Sequence, residues 1–178
     1  MAIAPEIDSD TILRALERLK TALIDTSSII YIQKAGYFDV LSGTIQLYSI
    51  PEVISEAKTP VAGVALIHPA ESSSLSTDSK LISCALENKI AIISEDKNIL
   101  RAMRLAGAPY YNGLMMLNFL LLSKIIDDNG YRRYFSALKN IARYSEAVWE
   151  FGRHVYSDVK LKLAQGKGSK DPWTLLEK

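Results

Sequence analysis

Asp25, Glu56, Asp78 and Asp96 each lie where an apolar segment gives way to a helix start, or in the helix just after one. Acids that are far apart in sequence but share this placement can converge on one site. Carboxylates gathered within a few ångströms cannot all ionise cheaply, because like charges raise one another's pKa and a buried unpaired charge is costly. A divalent cation resolves the conflict. No His or Cys is spaced for coordination, and an oxygen-only ligand set favours Mg2+ or Mn2+ over zinc. The chemistry such a site would perform is hydrolysis of a phosphodiester by an activated water, with no protein nucleophile. Taken singly, each acid has a plainer explanation: Asp25, Asp78 and Asp96 as helix caps or first-turn acids, and Glu56 as a surface glutamate. The joint pattern carries the chemical reading.

The elements that would position these acids can be read from hydrophobic patterning. Thr21-Ala-Leu-Ile-Asp25-Thr-Ser-Ser28 runs an apolar strand into an acid and then into the helical pattern Ile29, Ile30, Ile32. Lys89 to Asp96 repeats the arrangement, with a helix through Ile99, Leu100, Met103 and Ala106 that stops at Gly107. The patterning predicts strands near 21–25, 45–48, 64–67, 90–94 and 109–111, and helices near 27–35, 51–57, 78–88 and 96–106. Pro51 suits a first helical turn. Such alternation implies an α/β fold with a mostly parallel sheet covered by helices, and in these sheets the chemistry collects at the carboxyl ends of the strands. Residues 1–8 read as a lead-in to an N-terminal helix with Ile12, Leu13, Leu16 and Leu19 on its apolar face. After Gly113 the pattern is wholly helical: Leu114 to Ile126, then Tyr131 to Asn140, then a helix whose apolar face reads Tyr144, Val148, Phe151, Val155, Val159 and Leu163. Gln165 to Lys170 reads as a linker, and Asp171 to Leu176 as a segment docking through Trp173. The expected organisation is an α/β domain over 1–126 and a C-terminal helical extension over 127–178.

Composition narrows the classes. One cysteine, Cys84, excludes an internal disulfide framework, and the N-terminus carries no basic-apolar leader, so the expected compartment is the cytoplasm. The longest apolar run, Leu114 to Leu122, falls short of the roughly 20 residues of a membrane span and reads as a buried helix. Residues 1–96 hold 7 Lys/Arg against 13 Asp/Glu, whereas residues 97–178 hold 14 against 7. Such asymmetry can set an anion-attracting surface beside an acidic site. No glycine-rich nucleotide loop occurs. Ser27 stands where a phosphoaspartyl enzyme of the haloacid dehalogenase type would need a second aspartate, and the paired acids of a receiver domain are missing before Asp25. Cys84, His68 and His154 read as structural, and Tyr131, Tyr134, Tyr144 and Trp149 as core aromatics.

In order, Leu23-Ile-Asp25-Thr-Ser-Ser, Ile50-Pro-Glu-Val-Ile-Ser-Glu56, Leu75-Ser-Thr-Asp78 and Ile92-Ile-Ser-Glu-Asp96 resemble the motifs of the PIN-domain family of metal-dependent ribonucleases. The resemblance covers about Thr21 to Gly113. It implies a three-layer α/β/α sandwich with a central, mostly parallel sheet, and an acidic pocket in which Asp25, Glu56, Asp78 and Asp96 hold Mg2+ or Mn2+. It also implies endonucleolytic hydrolysis of single-stranded RNA. Ser27 falls on an auxiliary hydroxyl position, and Glu95 on an accessory acidic position that is a further metal-ligand candidate. Ser94-Glu-Asp96 replaces a more usual threonine and two aspartates. Arg101 and Arg104 are candidates for RNA phosphate contacts, with Arg132, Arg133, Lys139 and Arg143 extending the track. The reading that rivals hydrolysis is a module that keeps the fold and binds RNA or protein without cleaving. The late helices are open to RNA, to an antitoxin-like protein of a toxin-antitoxin pair, or to a second copy in a homodimer; no membrane role is expected.

Overall fold

The computed structural model describes residues 9–69 and 74–166. The lead-in over 1–8 and the docking segment Asp171 to Leu176 lie outside the described residues, as does the linker from Lys167 onward. The first two residues of that expected linker, Gln165 and Gly166, instead complete the last helix.

In chain order the elements are α1 (Ser9–Glu17), β1 (Thr21–Ile24), α2 (Thr26–Ala35), α3 (Phe38–Ser42), β2 (Gln46–Ser49), α4 (Pro51–Ala57), β3 (Val64–Leu66) and α5 (Thr77–Asn88). They continue with β4 (Ala91–Ile93), α6 (Lys97–Leu105), β5 (Tyr110–Tyr111), α7 (Gly113–Leu122), α8 (Asp128–Ile141) and α9 (Glu146–Gly166). Every strand and helix predicted from the pattern is present within a few residues of its expected ends. Helix α3 was not expected. Its five residues bury Phe38 and Leu41, too short a run to leave a 3.6-residue period.

The sheet is fully parallel, in the order β3-β2-β1-β4-β5. Leu23 of β1 lies between Tyr48 of β2 and Ile92 of β4. β1 and β4 are central and covered on both faces, and Ala22, Leu23, Ile24, Ile92 and Ile93 are accordingly fully enclosed. Right-handed crossovers put α2 and α4 on one face as the chain steps from β1 out to β3, and α5 and α6 on the other as it crosses back to β4 and on to β5. The packing agrees, with α2 against α4, and α5 against α6, β1 and β4. The result is a three-layer α/β/α sandwich with a C-terminal helical region.

That region is built around α7, all ten residues of which are buried. A helix that is apolar all round must be covered all round, and α1, α2, α8 and α9 supply the cover. Of the aromatic residues expected in the core, Tyr131 and Trp149 are buried and Tyr134 and Tyr144 partly buried: Tyr131 stacks on Tyr156 at 4.4 Å, and Trp149 meets both Phe135 and Tyr144 edge-on. Cys84 is buried in α5, and His68 and His154 are exposed. Among the described residues, no helix is long and apolar enough to cross a membrane.

The buried face of α9 differs from expectation. It reads Trp149, Gly152, Val155 and Val159, and Phe151 is 44% exposed. Gly152 explains the shift, because it lets α7 approach the α9 backbone closely. The Asn118 side-chain amide donates to the Gly152 carbonyl at 3.2 Å, and a Cβ at Gly152 would meet Leu114 Cδ2 at 2.2 Å. Gly152→Ala is therefore expected to destabilise the fold by about 1–3 kcal/mol through overpacking. In a double-mutant cycle read by denaturant unfolding, Leu114→Ala should cost less in the Gly152→Ala background than in wild type. Additive costs would show that the two residues do not compete for space.

Candidate functional site

From β1 the chain steps to one side of the sheet, and from β4 to the other. The carboxyl ends of these two neighbours therefore form the topological switch point, where open parallel sheets leave a crevice. Asp25 follows β1 directly, and its backbone N–H donates to the Ile93 carbonyl at 3.1 Å. Its side chain is 6% exposed, and burying a charge is costly unless donors surround it. Oδ1 accepts from the Ser28 N–H at 2.7 Å; Oδ2 accepts from Ser27 Oγ at 2.9 Å and from the buried Ser94 hydroxyl. Asp25 is thus the N-cap of α2 and the buried wall of the crevice together.

Asp96 does similar double duty. Its Oδ1 accepts from the Asn98 and Ile99 N–H groups at 2.6 and 3.3 Å, capping α6, and its own N–H donates to Ser94 Oγ at 3.0 Å. Ser94 therefore joins Asp25 to Asp96. Glu56, near the end of α4, is exposed but held at both oxygens: Oε2 accepts from Thr26 Oγ1 at 2.9 Å and Oε1 from Thr77 Oγ1 at 3.1 Å. Asp78 is a first-turn residue of α5 but not its cap, a role taken by Ser76, whose hydroxyl accepts from the Ser79 N–H at 3.2 Å. Partial desolvation, and then the charges of Asp96, Asp25 and Glu56, hold the Asp78 carboxyl above its usual pKa.

These four acids line one cavity of about 220 Å³, together with Thr26, Ser27 and Thr77, over an apolar floor that includes Val53 and Leu81. Ser27, the auxiliary hydroxyl, faces the cavity while donating to Asp25. Glu95 is not part of the lining. Its Oε1 accepts from the Gly113 N–H at 2.8 Å and from Ser28 Oγ at 3.4 Å, tying β4 to the starts of α7 and α2. Its other oxygen, Oε2, is buried with no hydrogen-bond partner, and so is the hydroxyl of nearby Tyr144. Burial pushes the Glu95 carboxyl up to about 7, against the opposing pull of Tyr144 and the Gly113 N–H. Arg101 and Arg104 are exposed on α6, outside the cavity. The site also uses three hydroxyls that carried no role in the sequence reading: Ser94, Thr26 and Thr77. Each lies next to or within two residues of a candidate acid, so a hydroxyl flanking an acid at an element boundary was the available signal.

The donor set suits a hard cation in kind and in space. At about 220 Å³ the crevice has room for a cation together with several of its waters. Among the described residues, no three His, Cys, Asp or Glu side chains are drawn together closely enough to form a ready-made cage. The residues therefore do not fit a dry all-protein metal site; a hard cation would have to keep most of its waters and be reached by one or two carboxylates.

The crowding of charge has a measurable consequence without any metal. Because the folded pKa of Asp78 is raised, its contribution to stability is fully present below the unfolded carboxylate pKa and is lost as pH rises through the folded value. In a chelator, Asp78→Asn should raise Tm at neutral pH by roughly 1–2 °C, and the gain should vanish toward the acid end of the carboxylate range. A Tm at neutral pH that is unchanged or lowered would mean the four acids do not repel one another. No protein-family model matches the chain and no curated protein matches it significantly, so any functional conclusion rests on the geometry of the cavity.

Proposed function

We propose that the chain is an Mg2+- or Mn2+-dependent endoribonuclease of PIN-domain type that hydrolyses single-stranded RNA. One observation carries the reading: four acids distant in sequence line a single small cavity at the switch point of a parallel sheet. Helix capping accounts for Asp25 and Asp96 locally, but not for Glu56 and Asp78 facing the same space.

Each residue contributes in its own way. Asp25, locked by three donors, is the fixed anchor at the cavity wall. Asp96 commits Oδ1 to the α6 cap, which leaves Oδ2 for the cavity. Glu56 is aimed by Thr26 of α2 and Thr77 of α5, so its carboxylate links helices from the two faces of the sheet across the cavity. Asp78 is the most weakly held of the four, since no hydrogen bond to its carboxylate occurs among the described residues, and it is the group free to adjust when a cation or a phosphate arrives. A bound ion would supply Lewis-acid polarisation of the phosphate and a lowered pKa for the attacking water. The carboxylates then hold that ion, and the apolar floor of Val53 and Leu81 limits the water around it.

The lack of a ready-made carboxylate cage among the described residues favours a second reading, a fold that binds RNA or protein and cleaves nothing. Cleavage of a labelled single-stranded RNA separates the two. Wild type should cleave in Mg2+ or Mn2+ and stop in EDTA, while Asp25→Asn should lose at least about 100-fold in rate, as expected for loss of an anchoring metal ligand. If wild type cleaves no faster than Asp25→Asn with either ion, the enzyme reading is wrong. Ser94→Ala keeps every charge but removes the hydroxyl shared by Asp25 and Asp96. It should lower the cleavage rate about 10–100-fold, the usual effect of losing a residue that orients a ligand. An unchanged rate would mean that Ser94 positions neither acid.

A further inference from the structure

A cavity walled by four carboxylates repels the phosphates it would have to admit, so an RNA-cleaving site needs cations beside it. Helix α6 supplies them. Lys97, Arg101 and Arg104 recur at steps of four and three residues, which puts them within an arc of roughly 60° on one face of the helix and along roughly 10 Å of its length. All three are exposed, and none makes a salt bridge among the described residues. Several cations of the late helices are paired, whereas Lys139 and Arg143 are exposed without a salt bridge among the described residues and lie apart from the cavity. Arg132 and Lys160 pair with Asp128, Arg153 with Glu146, and Lys162 with Glu17, at 2.7 to 3.0 Å. The unpaired positive stripe therefore begins one residue after Asp96 at the cavity and runs outward.

A second feature borders the same helix. Leu100, three residues after Lys97 and four before Arg104, lies beside the stripe and forms part of the wall of an apolar groove of about 450 Å³. The groove is also lined by Tyr110, Tyr111, Met115 and the exposed Phe151. Stripe and groove thus meet on α6, whose N-cap Asp96 lines the acidic cavity and whose Leu100 lines the groove. A row of cations next to aromatic rings is the combination that single-stranded nucleic acid requires, phosphates on the charges and unpaired bases against the rings.

We propose that this face is the entry track for the RNA strand: Lys97, Arg101 and Arg104 take successive phosphates, and Tyr110 and Phe151 receive unstacked bases. The inference rests on the ribonuclease reading for its substrate, but not on cleavage itself. A base-paired strand keeps its bases stacked and cannot offer them to the groove.

The test is equilibrium binding by fluorescence anisotropy in EDTA, where no metal-dependent cleavage occurs, with a labelled oligouridylate of roughly twelve nucleotides. Arg101→Glu combined with Arg104→Glu should weaken binding at least about tenfold and flatten the log–log salt dependence by about 0.7 for each lost phosphate contact. Phe151→Ala should weaken binding about fivefold or more without changing that slope. Lys139→Glu, on α8, should stay within about twofold of wild type, excluding a general charge effect. The proposal is overturned if the double variant or Phe151→Ala binds like wild type, if Lys139→Glu weakens binding as much as the double variant, or if a duplex of the same length binds as tightly. It is also overturned if Phe151→Ala changes the oligomeric state and leaves RNA binding intact, since the groove would then belong to a second copy. Binding along this face with no cleavage in Mg2+ or Mn2+ would uphold the track and reject the hydrolase.

Discussion

A carboxylate buried where two parallel strands diverge must be surrounded by donors or it unfolds the region around it. Asp25 meets this requirement with a backbone N–H from α2 and two serine hydroxyls, one of them Ser94 at the end of β4. The positions of α2, β4 and the start of α6 are thereby tied to a single charged group. Because Ser94 Oγ also accepts from the Asp96 N–H, the cap of α6 is built on the same hydroxyl that satisfies Asp25. Moving one acid moves the other.

This coupling gives the cavity a rigid side and an adjustable side. Asp25 and Asp96 are fixed by strand ends and helix caps, while Glu56 and Asp78 arrive on α4 and α5, from opposite faces of the sheet. Glu56 is steadied only through threonine hydroxyls, and Asp78 carries the electrostatic cost of its three neighbours. In the proposed metal site, two of the four acids are pre-set and two are responsive. Weakly preorganised positions of this kind suit an ion that retains its waters.

Much of this architecture was legible in the sequence because its elements have strong, uninterrupted patterns. The apolar runs before Asp25 and Asp96 read as strands, and the all-apolar stretch from Leu114 to Leu122 as a buried helix. Strand-end patterning pointed to three of the four acids, and the motif resemblance to Glu56 as well. Other features left no local mark. Gly152 shifts the buried face of α9 because of a close approach to Leu114, which depends on a helix far away in sequence. The roles of Ser94, Thr26 and Thr77 depend on which elements meet across the switch point, and a hydroxyl in a chain of hydroxyls carries no periodicity. Glu95 stands next to Asp96 in sequence, yet the end of β4 sends the two side chains to different places, one to the cavity and the other to the N-terminus of α7.

The placement of Glu95 has a thermodynamic consequence. A carboxyl whose pKa lies at about 7 in the folded chain takes up a proton on folding throughout the range between the ordinary carboxylate value and neutrality. The nearby Tyr144 hydroxyl and the Gly113 N–H favour the ionised form and offset part of the cost of burial. The stability the carboxyl contributes is complete below its unfolded pKa and fades as pH passes through 7. Because that carboxyl also accepts from the Gly113 N–H, this proton linkage falls on the seam between the sheet and the helical region.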